Sequence, residues 1–206
     1  HQTYVHKLLT GRQDFSQLRQ EGGISGYPSR KESIHDVVEN SHASSSLSWV
    51  DGISREKARR GDPTWTIGVI GDGALTGGMA WEALNNIASD PKRRAIIVVN
   101  DNGRSYAPTI GAFARHLDLL RSSQNYEKAL SWGKRTLMNF GEPGRATYGA
   151  LHGLKTGLKD TLIPQAMFED LGLKSIGPVN GHDIGAVETA LRRARTLEEP
   201  VIVHMI

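Results

Sequence analysis

The sequence predicts an α/β fold: a parallel sheet with helices on both faces. Three observations carry this expectation. Residues 65–70 and 95–99 are short, apolar, β-branched runs of strand length with no polar alternation, as expected of parallel strands buried on both sides. Between them, residues 75–88 place Leu75, Met79, Leu84 and Ile87 at roughly helical spacing, which makes a βαβ unit of ordinary size. Further on, Asp183 is suited to cap a helix over 184–196, and Pro200 precedes an apolar strand over 200–206.

The remaining elements follow in chain order. Residues 1–33 read as loop, punctuated by Gly22, Gly23, Gly26 and Pro28, and suit an active-site wall. Residues 41–53 combine small side chains with Leu47, Trp49 and Val50 and read as a closely packed helix. It leads into Arg55-Glu-Lys-Ala-Arg-Arg60, a solvated charged face. After Asn102 an irregular stretch runs through Pro108. Helices are then expected over 113–120, 125–138 and 146–159, an excursion between strands in which Gly141-Glu-Pro-Gly144 separates the last two. His182 falls in a Gly-rich turn ahead of the final helix, where a loop role is the simpler one.

Composition bounds the function. With 206 residues, of which 38% are hydrophobic, the chain can bury one substantial α/β core, so one domain is expected. The formal net charge of +3 is a mild excess that calls for no nucleic-acid partner. There is no cysteine, which excludes disulfides, thiolate metal sites and a cysteine nucleophile. No apolar run has the length of a membrane span and no signal peptide is visible, so the cytoplasm is the expected location. No histidine pair has the spacing of a zinc-protease site, and His6, His35, His116, His152 and His204 stand in no distinguishing constellation.

The chemistry concentrates where the first strand ends in Gly71-Asp-Gly73 and the second in Asn100-Asp-Asn102, thirty positions after Asp72. Gly-Asp-Gly alone is a common turn. Preceded by a strand and followed by a helix, with amides and carboxylates ending the neighbouring strand, it describes a magnesium-diphosphate site. Mg²⁺ takes only one or two charged protein oxygens and draws the rest from phosphate and water, and Asp72 and Asn102 can be those ligands. Gly71 and Gly73 remove Cβ atoms where backbone turns and nears a ligand, and a helix start offers N–H groups to an anion.

Gly71-Asp-Gly73 with Asn102 resembles the signature of thiamin diphosphate enzymes. The rest of the chain is similar to one family of them, 1-deoxy-D-xylulose-5-phosphate synthase. The likeness runs through His1-Gln-Thr-Tyr-Val-His-Lys-Leu-Leu-Thr-Gly-Arg12, Gly23-Ile-Ser-Gly-Tyr-Pro-Ser-Arg-Lys-Glu-Ser33, Ser41-His-Ala-Ser-Ser-Ser46, Gly71 to Asn85, Asn100-Asp-Asn102 and Gly177-Pro-Val-Asn-Gly-His-Asp183, all in order. It implies a transketolase-like, thiamin-diphosphate-binding fold, represented here by a partial diphosphate-binding domain over 1–206.

By this resemblance Asp72, Asn102 and the main-chain carbonyl of Arg104 bind Mg²⁺. Gly73 and Ala74 touch the diphosphate, and Asn102, His1, Ser41, His42 and Ala43 line the cofactor. No catalytic residue is assigned. The resemblance also implies thiamin diphosphate-dependent decarboxylation of pyruvate and carboligation to D-glyceraldehyde 3-phosphate by a homodimer, giving 1-deoxy-D-xylulose 5-phosphate, a precursor of isoprenoids, thiamin and pyridoxal. The family's pyrimidine-binding domain and activating glutamate have no counterpart in these residues, so the chain alone is expected to be inactive. Asn180 and Ser175 depart from the family's aspartate and aromatic, and Ser41 and Ala43 from its glycine and serine, which removes a hydroxyl contact at 43. Two other readings keep the same site. One is a transketolase-like half-protein working with a separate pyrimidine-domain chain; the other is a non-catalytic domain that binds thiamin diphosphate and Mg²⁺.

Overall fold

A computed structural model of the chain describes residues 2–104, 111, 117 and 166–206. The chain divides into two compact units, residues 1–43 and 44–206. The helices expected over 113–120, 125–138 and 146–159 lie outside the described residues apart from Leu117, which is helical and buried.

The first unit was expected to be loop, yet it opens with helix α1 (Gln2–Leu9), which ends at Gly11 in the left-handed region, φ 92°. Beyond α1 the unit is turns and bends, as expected, and these are held by charge rather than by an apolar core. Lys7 is fully buried and its Nζ donates to Glu32 Oε2 at 2.5 Å. Arg12 grips Asp36 with both terminal nitrogens, at 2.6 and 2.7 Å. Asp36 also accepts from Ser29 N–H at 2.6 Å and meets His6 Nε2 at 2.9 Å, while Glu32 accepts Ser25 N–H at 2.7 Å. The Arg12 guanidinium, helped by the Ser29 and His6 hydrogen bonds, holds the Asp36 carboxyl well below the usual carboxylate range against the opposing effect of burial. Burial pushes Glu32 upward, but its bonds from Lys7, Ser25 and Arg12 outweigh this and leave it lowered.

The second unit is the expected α/β layer structure. Its elements are α2 (Ser46–Arg59), β1 (Thr66–Gly71), α3 (Asp72–Leu75), α4 (Gly78–Ala88), β2 (Ala95–Asn100), α5 (Ala166–Asp170), β3 (Lys174–Val179), α6 (Ile184–Thr196) and β4 (Val201–Met205). The four strands among the described residues are all parallel, in the order β1-β2-β4-β3. One face of the sheet packs Ile70, Ile97, Val99 and Ile202 against Leu47 and Val50 of α2 and Ala83, Leu84 and Ile87 of α4. The opposite face packs Ile96, Val98, Val201 and Val203 against Ala190 and Ala194 of α6. Asp183 caps α6 as expected, its carboxylate accepting the Ala186 N–H at 3.0 Å.

Three local expectations are corrected, and one strand is added. The α2 helix starts at Ser46, five residues later than 41, and runs through the charged stretch to Arg59; Glu56 there pairs with exposed Arg59 and Arg60, which hold it down to about 2. Strand β1 is buried on one face only, because α6 covers β3 and β4, and Ile67 and Val69 are exposed. Strand β3 is an element absent from the sequence-based expectations. Among the described residues it is an edge strand, its register breaks between Ile176 and Val179, and an edge is where a residue without an N–H, Pro178, is tolerated. The helix expected over 75–88 is broken into α3 and α4, with Met79 half exposed and Ala80 and Ala83 on the buried face instead.

Candidate functional site

Parallel register sets the site. Gly71, the last residue of β1, lies opposite Asn100, the last of β2, so Asp72 and Asn102 follow the C-terminal ends of adjacent strands by one and two residues. Such ends are where ligands bind in open α/β sheets. Asp72 begins α3 and is 1% exposed, a carboxylate withdrawn from bulk water at a strand end. Asn102 is exposed on the loop after β2.

Gly71 is extended, φ −78° and ψ 154°, and a Cβ there would meet only Asn100 O, at an ordinary 3.9 Å. The turn expected to require glycine at this position is therefore absent, and the chain's own packing leaves room for a side chain. Because α3 is a single turn, its aligned peptide dipoles sum to little, so the helix-start effect expected for an anion reduces to local N–H groups.

Ala74, at the heart of this turn, is held from outside it. Ser44 adopts φ 68°, rare for a residue with a side chain, and its Oγ donates to Ala74 O at 2.6 Å. Gly77 separates α3 from α4 in extended conformation, φ −76° and ψ 140°, and a Cβ on it would fall 2.1 Å from Ser44 Oγ. Gly77 thus answers the helix break and the close approach of Ser44 together.

The loop after β2 is fastened at three points. Asp101 N–H donates to Met205 O at 2.8 Å, His204 Nε2 reaches Asp101 Oδ2 at 2.8 Å, and Asp101 Oδ1 accepts the Gly103 N–H at 3.2 Å. Gly103 sits at φ 70°, and Asn102 Oδ1 accepts the Arg104 N–H at 2.9 Å. His204, expected to have no constellation, is thus half of a buried pair, with both partners 3% exposed. His6 likewise has a partner in Asp36. The sequence signal for His204 is its place as the polar residue in Val201-Ile-Val-His-Met205.

Of the other expected site residues, Gly73 lies in α3 beside Asp72, and Arg104 is exposed at the end of the loop. Ser41, His42 and Ala43 are exposed at the end of the first unit, where His42 N–H donates to Asn40 Oδ1 at 2.8 Å. His1 lies outside the described residues. His182 is exposed in the turn before α6, its N–H donating to Asn180 Oδ1 at 3.0 Å. Among the described residues no three His, Asp or Glu side chains gather as a metal cage. The oxygens on offer are one carboxylate, one amide and backbone carbonyls, a hard donor set that suits a cation keeping much of its shell for other ligands.

A family profile described as 1-deoxy-D-xylulose-5-phosphate synthase matches residues 1–206. The chain belongs to this family. It is 62% identical over 206 residues to 1-deoxy-D-xylulose-5-phosphate synthase 1 of Streptomyces coelicolor, covering 100% of this chain and 31% of that protein. It is 61% identical over 218 residues to the synthase of Kocuria rhizophila, covering 100% and 33%, and 62% identical over 212 residues to that of Pseudarthrobacter chlorophenolicus, covering 99% and 32%. The chain therefore spans about a third of the length of these curated relatives. Within this synthase family chain, the strand-end pair Asp72 and Asn102 belongs to the second unit, on the four-stranded parallel sheet.

Proposed function

We propose that the second unit supplies the diphosphate and Mg²⁺ anchor of a thiamin diphosphate-dependent 1-deoxy-D-xylulose-5-phosphate synthase. The observation that carries the reading is the register Gly71 to Asn100, which sets a buried carboxylate and an exposed amide just past the ends of neighbouring strands. The residues fit the group. Asp72 brings the formal charge, Asn102 Oδ1 a second oxygen and Arg104 its carbonyl, while Gly73 and Ala74 offer backbone to phosphate. The free space at the absent Gly71 Cβ leaves room for close approach.

When bound, thiamin diphosphate supplies the carbanion chemistry by which pyruvate loses CO₂ and joins D-glyceraldehyde 3-phosphate. The chain's own part is to hold and orient. Asp72, shielded from water, attracts a divalent cation more strongly than a solvated carboxylate would. Ser44 keeps the Ala74 turn in place, and Asp101 keeps the loop that bears Asn102. The roles of His1, Ser41, His42 and Ala43 rest on the resemblance alone, as do a cytoplasmic homodimer and a place in isoprenoid precursor synthesis. Among the described residues no helix is long and apolar enough to cross a membrane.

Calorimetric titration of thiamin diphosphate into the chain, with and without Mg²⁺ and beside Asp72→Ala, tests the proposal. Binding that needs both the metal and the carboxylate supports it; binding indifferent to either overturns it.

A further inference from the structure

The apolar strand β4 carries one residue that does not belong in a hydrophobic layer. His204 lies on the same face as Ile202, opposite Val99 in the β2–β4 pairing, and is 3% exposed. An aliphatic side chain would pack there without desolvating an imidazole, so the choice of histidine needs a partner that offsets the loss. That partner is the Asp101 carboxylate, 103 residues away in sequence. One of its oxygens takes the His204 bond at 2.8 Å and the other takes the Gly103 N–H at 3.2 Å. A carboxylate shared in this way couples a buried strand to the turn at 101–104, and Asn102 stands between Asp101 and the Gly103 amide that it holds.

We propose that His204 is a positioning residue for the metal-binding turn: its Nε2–H orients Asp101, whose second oxygen fixes the Gly103 amide and so presents Asn102 toward the cation. The inference rests on the reading of Asn102 as a Mg²⁺ ligand and deepens it, adding a buried residue behind the loop that touches neither cofactor nor metal. The left-handed φ of 70° at Gly103 keeps the turn tight enough for one carboxylate to span it. Groups that orient metal ligands from behind commonly govern affinity by about ten- to a hundredfold when removed.

The test is the Mg²⁺ concentration that half-saturates thiamin diphosphate binding to the chain, measured by calorimetry in four proteins. Relative to wild type, His204→Phe is expected to raise it by about tenfold or more. His204→Gln, which retains an N–H able to reach Asp101, is expected to recover most of that loss. Val99→Ala, on the facing strand, is expected to lower the melting temperature while leaving the Mg²⁺ requirement unchanged. A His204→Phe protein with the wild-type requirement overturns the proposal, and so does a Val99→Ala shift of equal size, which would mark a merely structural effect. If the His204 variants do not fold, amide exchange in the wild-type chain decides: protection at Gly103 supports the bond to Asp101, and free exchange refutes it. A wild-type chain that binds nothing with Mg²⁺ present would instead sink the underlying reading of the site, and this inference with it.

Discussion

Ser44 Oγ occupies the space that a Cβ on Gly77 would enter, at 2.1 Å, while donating a hydrogen bond to Ala74 O at 2.6 Å. A serine in a left-handed conformation and a glycine thirty-three residues later are therefore one device that holds the turn after Asp72. Gly77→Ala is expected to destabilise the chain by about 1–3 kcal/mol through overpacking. Ser44→Ala should lose about 1 kcal/mol, the net worth of a hydrogen bond. In a Ser44→Gly background the Gly77→Ala penalty should shrink, since the obstructing hydroxyl and its Cβ are gone. Urea unfolding of the four members of this double-mutant cycle checks the coupling; additive losses would refute the shared device.

Gly68 has a parallel role in the core. A Cβ there would fall 2.4 Å from Val50 Cγ2, so glycine is what lets α2 rest on β1. Gly68→Ala is expected to destabilise by about 1–3 kcal/mol because valine has little rotamer freedom to retreat. Val50→Ala should relieve part of this in the double variant, which the denaturant midpoint will report.

Asp72→Asn keeps the side-chain shape and removes its charge. The Mg²⁺ needed to support thiamin diphosphate binding should rise by about tenfold or more, because ligand charge governs affinity for a hard divalent cation. Unchanged metal dependence in a titration would show that the cation is held elsewhere.

The first unit should respond to acid through Asp36, whose carboxyl is depressed mainly by the Arg12 bond. A carboxylate lowered in the folded state binds fewer protons there than in the unfolded chain. Its contribution is therefore complete above the unfolded value of about 4 and fades as pH falls through the lower folded value. Asp36→Asn should open the unit by about 1–3 kcal/mol at neutral pH, because it removes the main partner of the nearly buried Arg12 and leaves it Glu32 at 3.3 Å. The gap to wild type should close as pH drops below about 4. Amide exchange in α1 against pH measures both; a gap that widened in acid would invert the assignment.

Whatever depends on neighbours along the chain is legible in the residues alone. The apolar runs at β1 and β2, the cap at Asp183, and the positions of Asp72 and Asn102 at strand ends all follow from local pattern and residue chemistry. Fold class and family were legible for the same reason. Which distant residues support those positions emerges from the folded chain. Asp101 meets His204 because the parallel register sets Asn100 beside Met205, and Ser44 meets Ala74 across thirty residues. The break between α3 and α4 is tied to that second contact, which a helical period cannot encode. Strand β3 was hidden because Gly177 and Pro178 interrupt its pattern, and it gains its place by pairing with β4. Helix α1 was hidden for a similar reason: its buried Lys7 reads as a surface residue until Glu32 folds back onto it. In each case the deciding free energy comes from a contact between residues far apart in sequence, where local propensity carries no information.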